Sequence, residues 1–270
     1  MRIFIFTYDR PDIITTSEYF KDFEHIVLCH DNYNRDRYLE HGRIHGDLIA
    51  TQEPKGLANN RNYALKMMEP DEWALFFVDD LVDIFKYQGI VENKTGKIQE
   101  SEGNINKLFK TTIQAEEFIE RSKYHIERCK EEEVHLGGFA CYENPYFLSK
   151  RYKTFALADG RCWVMHKHEL TFDTNTQLAD DLSFTLKNLK HYGKVLLDQW
   201  LIPKCKRYSR GAYGTKDQRM EQRIRECEYL VETYPDLAFF YDKPGWPEHS
   251  HIRIRYKKPI KVDKDQVSMF

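Results

Sequence analysis

No apolar run in this 270-residue chain approaches the roughly 20 residues a membrane-crossing helix needs, so a membrane protein of that kind is excluded. The opening MRIFIFTYDRPD has a short apolar stretch but no small-residue cleavage site, and it reads as a first strand rather than a signal peptide. The cysteines at 29, 129, 141, 162, 205 and 227 never stand as C-x-x-C. Their scatter argues against a structural zinc site and fits reduced thiols in a cytoplasm, or in a host cytoplasm if the chain is viral. G-x-G-x-x-G is missing, as is G-x-x-x-x-G-K-[ST], which removes the usual dinucleotide and P-loop fingerprints. Internal repeats and low-complexity tracts are missing too.

What is present is enough apolar material for a sizeable core, 41% hydrophobic and 14% aromatic residues. The formal net charge is only −2, but its distribution is uneven. The stretch from Lys204 to Arg225, KCKRYSRGAYGTKDQRMEQRIR, and the stretch RIRYKKPIKVDK from Arg253 are strongly basic. Such runs are either solvated surface or a platform for a polyanion. Lys204, Lys206, Arg207 and Arg210, interleaved with Tyr208 and Tyr213, are the candidates for nucleic-acid contact.

RIFIFTY, HIVLCHD and WALFFVDD read as buried strands that end in polar residues, with helical segments between them. This β–α–β alternation predicts an α/β fold with a mostly parallel central sheet flanked by helices. Ligands of such sheets gather beyond the carboxyl ends of the strands, where Thr7, Asp9, Arg10, Asp31, Asp79 and Asp80 fall. Ordinary loop polarity is the competing explanation for each. Residues 88–112 read as a hairpin or loop, and 114–133 as a helix. LADDLSFTLKNLKHYG places Leu182, Leu186 and Leu189 on one helical face with Gly193 as a stop. Thr215 and Gln218 form a capping box ahead of another helix. Arg61 shares the apolar stripe of Leu57, Ala64, Leu65 and Met68, so its guanidinium faces inward. There it either pairs with an internal acid or reaches a phosphate. Asp180 and Asp181 open a helix, where capping or catalysis would each account for carboxylates.

Taken in order, RIFIFTYDRP, GLANNRNYALK, WALFFVDD and GRCWVMHKHEL…LADDLSFTLKNLKHYGKV resemble the nucleotide-sugar glycosyltransferases of the GT-A fold. Their pattern runs strand, G-x-x-x-x-R-N helix, strand ending in D-x-D, then an acidic pair before an amphipathic helix. Within that group the chain is similar to the phage-type TET-associated glycosyltransferases, which decorate hydroxymethylated pyrimidines in DNA. The resemblance implies a GT-A-like single domain over 1–200, with 201–270 as a helical and basic extension packed on it. It implies a UDP-sugar donor held by Thr7, Asp9, Arg10, Asp31, Arg61 and Asp79. Asp80 would be a direct ligand of Mn²⁺ or Mg²⁺, although Val78 stands where the pattern has its first acid. His249 and His251 would complete that metal site on a folded-over tail, with Trp246 stacking on the sugar or base. Asp181, or else Asp180, would be the general base of an inverting transfer to 5-hydroxymethylcytosine in DNA. A polysaccharide, protein or small-molecule hydroxyl is the alternative acceptor. Two readings from other classes compete: a metal-dependent nucleotidyltransferase and a non-catalytic DNA-binding protein. None of these needs an obligate protein partner.

Overall fold

The computed structural model describes residues 1–89, 91–92, 98–99, 108–141, 151–206 and 215–255. In chain order the elements are β1 (Arg2–Phe6), α1 (Thr15–Tyr19), β2 (Ile26–Cys29), α2 (Asn32–His41), β3 (Asp47–Ala50), α3 (Leu57–Met67) and β4 (Trp73–Val78). There follow β5 (Leu81–Gly89), β6 (Val91–Glu92), β7 (Ile98–Gln99), β8 (Leu108–Ile113), α4 (Ala115–Glu131), β9 (Leu136–Phe139), β10 (Tyr152–Lys153) and β11 (Cys162–His166). The chain continues through α5 (Asp180–Tyr192), β12 (Leu196–Asp198), β13 (Leu201–Cys205), α6 (Lys216–Thr233), β14 (Ala238–Phe240) and β15 (Ile252–Ile254).

An eight-stranded sheet in the order β10-β12-β9-β11-β4-β1-β2-β3 organises the molecule. Strands β3, β2, β1 and β4 run parallel, as do β9 and β12. β11 runs antiparallel between β4 and β9, and β10 antiparallel to β12. The α/β architecture with a mostly parallel sheet therefore matches the expectation from the alternation of apolar runs. Continuous apolar strands such as IFIF and ALFF are what two covered faces require. Ile3, Ile5, Leu75 and Phe77 pack into one core, and Phe4, Phe6, Ala74 and Phe76 into the other.

Strand direction determines what meets at the rim. β1 and β4 pair from Arg2↔Ala74 to Phe6↔Val78, so the next residues along, Thr7 and Asp79, are neighbours. Because β11 is reversed, its beginning lies at the same rim, preceded by Asp159, Gly160 and Arg161. The amide of Val78 donates to the carbonyl of Arg161 at 3.2 Å and fastens the two segments together. α5 then starts against this loop, with Asp181 Oδ2 accepting from the Gly160 amide at 3.3 Å. Gly160 fits closely here: a Cβ would come within 3.0 Å of the Asp181 side chain and 3.1 Å of the Arg61 guanidinium, so both neighbours would have to give way slightly.

The segment after 200 is joined to the rest through two surfaces. β13 pairs antiparallel with β5 in a three-stranded sheet completed by β8. Leu230 of α6 and Tyr234, just after it, pack on Leu182 and Leu186 of α5. Of the hairpin or loop expected over 88–112, the described residues show β5 pairing with β8 and β6 with β7. No helix among the described residues is long and apolar enough to cross a membrane.

Candidate functional site

Asp79 is fully buried and Asp80 nearly so, directly after β4. Two unsatisfied buried carboxylates side by side would be costly, and the structure supplies partners. The Arg10 guanidinium bridges them, binding Asp79 Oδ1 closely and Asp80 Oδ2 at 3.3 Å. Thr7 donates its hydroxyl to Asp79 Oδ2 at 2.6 Å. The Tyr38 hydroxyl accepts from the Arg10 amide at 2.8 Å, fixing the backbone that carries the guanidinium. Burial lifts the Asp79 carboxyl to about 6, while Arg10 and Thr7 pull in the opposite direction.

The second pair is built differently. Arg61 is 1% exposed and forms a close ion pair with Asp180, while a second nitrogen donates to the Gly160 carbonyl at 2.7 Å. Its charge is boxed by Trp163, Phe6 and Phe172, with ring centroids 4.3, 5.6 and 5.5 Å away. The partner is therefore an internal acid, and Arg61 is corrected from donor contact to buried anchor. Asp181 keeps the outer place. Its carboxylate accepts from Leu182 and Gly160 amides, and burial with nearby Asp159 raises its proton affinity. Neither aspartate is the helix N-cap, which is Ala179, although Asp181 does satisfy one first-turn amide of α5, that of Leu182.

Asp159 and Arg161 went unremarked in the sequence reading, although DGR stands within LADGRCW. Arg161 holds Asp159 through two hydrogen bonds, Nε to Oδ1 at 2.7 Å and Nη2 to Oδ2 at 3.0 Å. This ion pair stands just ahead of β11, on the rim where β4 ends. Asp159 acts on Asp181, and the Cys205 thiol feels Asp80, Asp159 and Asp79 together. The acids gathered here thus border one region of the sheet's carboxyl end.

The other expected residues have local roles. Asp9 is exposed, has a positive φ of 48° and pairs with Arg37. Asp31 caps α2 by accepting from the Asn34 amide at 2.8 Å, a bond that lowers its pKa. Trp246 lies against Lys243 and edge-on to His251. His249 stacks on Phe240 and faces Glu228 at 3.2 Å. These contacts belong to the C-terminal segment and do not join Asp80. Lys204 sits on β13 over the Phe85 ring, and the exposed Lys206 is anchored by its amide to the Asp80 carbonyl at 3.0 Å. Arg207 and Arg210 lie outside the described residues.

The expected Mn²⁺ or Mg²⁺ does not fit this arrangement. Both Asp79 oxygens already have donors, and a guanidinium stands where a cation would neutralise the pair. Among the described residues no three His, Cys, Asp or Glu side chains group as a metal site, which corrects the Asp80–His249–His251 set.

No protein-family model matches the chain, and no curated protein matches it in sequence. A solved structure described only as a mycobacterial protein is similar at 9% identity and a TM-score of 0.48, over 94% of this chain and 82% of that one. A likeness this distant is silent on chemistry.

Proposed function

We propose that the chain is a glycosyltransferase that moves a sugar from a nucleoside diphosphate, with UDP as the favoured nucleotide, to a hydroxyl by direct displacement. The observation that carries the reading is the meeting of Arg10 with Asp79–Asp80 and of Asp159–Arg161 with Asp181 on one rim of an α/β sheet. The strand order, with one reversed strand beside β4, is compatible with a GT-A arrangement. In this mechanism the acceptor oxygen attacks the anomeric carbon as the bond to the diphosphate breaks. Asp181 takes the hydroxyl proton, and its raised proton affinity suits a general base. Arg10, side-chain exposure 19%, offers positive charge to the leaving diphosphate. No step is assigned to a metal.

The acceptor we propose is 5-hydroxymethylcytosine in DNA. The anchoring of Lys206 against Asp80 supports it, because the basic stretch then starts beside the carboxylates. Backbone phosphates would be held by that stretch while the rim handles the modified base. Incubating hydroxymethylated DNA with a panel of nucleoside-diphosphate sugars and weighing the nucleosides tests both halves. A hexose or pentose increment on hydroxymethylcytosine supports them. Donor hydrolysis without DNA modification removes the acceptor and keeps the transferase. Neither product removes both. Asp181→Asn is expected to keep donor affinity while turnover falls by roughly 10²- to 10⁴-fold, the range for loss of a general base.

A further inference from the structure

α6 carries one acid that does not face water. Glu226 is 4% exposed, and its carboxylate accepts from three consecutive backbone amides: Gln177 at 2.9 Å, Leu178 at 2.9 Å and Ala179 at 2.8 Å. The Gln222 side chain adds a donor at 2.8 Å. Residues 177–179 are the strap that immediately precedes Asp180, and Ala179 at the N-cap offers no side-chain bond of its own. The carboxylate that satisfies the backbone ahead of α5 therefore comes from a different helix, 47 residues further along the chain. A buried carboxylate with four donors is a strong and rigid contact.

We infer that Glu226 is a positioning residue for the Asp180–Asp181 pair, fixing where α5 begins and setting a buried negative charge behind the two aspartates. The charged groups facing that pair come from three directions. Arg61 on α3 favours the ionised form of both, whereas Asp159, ahead of β11, opposes it at Asp181 and Glu226 on α6 opposes it at Asp180. Glu226 thus strengthens the hold of Asp180, and through it the pair, on a proton without touching a substrate. It also couples the rim to the C-terminal segment, because α6 carries Glu226 on the same helix that packs on α5 through Leu230. Strap position and proton affinity then depend on one side chain.

The inference rests on the transferase reading only for its link to turnover, so its test begins without activity. Carboxyl carbon NMR of aspartate-labelled protein follows the Asp180 and Asp181 titrations in wild type and Glu226→Gln, a change that keeps shape and removes charge. The expected result is a fall of at least about threefold in proton affinity for the pair, or half a pH unit. Amide exchange at 177–179 should quicken by about tenfold or more as one acceptor is lost. A folded variant with unmoved midpoints and unchanged exchange overturns the inference. Quicker exchange with unmoved midpoints overturns the electrostatic half. Should Glu226→Gln fail to fold, Gln222→Ala removes only the Nε2 donor to Glu226, and unchanged exchange at Gln177 would then overturn it. Where wild type turns over donor, the acidic limb of kcat against pH should move down in Glu226→Gln along with the midpoints. Where wild type shows no turnover, the transferase reading falls and the NMR result still decides for Glu226.

Discussion

Asp79–Asp80 and Asp180–Asp181 are each adjacent acids met by one arginine, yet the two arginines are built for different work. Arg61 is sealed by three aromatic rings and two hydrogen-bonded oxygens, and only 1% of it meets solvent. Arg10 spans both members of its pair, and 19% of its side chain remains open. The sealed arginine consumes one aspartate, Asp180, and leaves Asp181 beside the Gly160 amide. The open arginine neutralises both of its aspartates and still faces the rim. An ion pair inside the core positions a neighbour, whereas one at an opening can exchange partners with a ligand.

The largest effect expected from breaking this comparison is on stability. Arg61→Met leaves the buried Asp180 carboxylate without its counter-charge, and should cost roughly 3–5 kcal/mol in denaturant unfolding. Arg61→Met with Asp180→Leu should recover most of that loss, because the uncompensated charge goes with its partner. If the double variant is no better than the single one, the ion pair is not what holds α3 to α5.

A smaller effect separates the pairs by pH. Burial raises the Asp79 carboxyl from 3.8 to about 6, so folding binds its proton. Its contribution is fully present below pH 3.8 and is lost as pH rises through 6. Wild type should therefore lose stability relative to Asp79→Asn across that window, by up to about 3 kcal/mol for a shift of this size. The buried His125 and the half-buried His168, both depressed to about 4, titrate in the same range in both proteins and cancel in the difference. A difference that instead grows with pH would show that Arg10 holds Asp79 ionised more strongly than burial opposes it.

Local patterns made part of this readable from sequence. The inward stripe that contains Arg61, the stop at Gly193 and the capping box of Thr215 with Gln218 are set by residues within a few positions, and all three appear in the structure. The acidic ends of β1, β2 and β4 were likewise legible from apolar runs. Partner choice was not. Arg61 and Asp180 are 119 residues apart, and they meet only because β11 is reversed and brings Gly160 to the rim. Glu226 looks like any acid in the charged run RIRECEYL until α6 is docked. β3 escaped notice because DLIA is a short edge strand with a half-buried pattern.

The finest discrimination concerns Arg10 itself. If its guanidinium is the counter-charge for the Asp79–Asp80 pair and for a departing diphosphate, chelation with EDTA should leave wild-type donor turnover nearly unchanged. Arg10→Ala should lower kcat/KM by about tenfold, equivalent to about 1.4 kcal/mol, the size of a single charge-assisted contact. The same substitution leaves two adjacent carboxylates without their shared cation, a set of hard oxygens that suits Mn²⁺ or Mg²⁺. The variant should then acquire a stimulation by added Mn²⁺ that wild type lacks, read as turnover against metal concentration. Loss of all wild-type turnover in EDTA would reverse the assignment: the guanidinium would then be a placeholder that a cation displaces, and Arg10 would resemble a gate more than a catalyst.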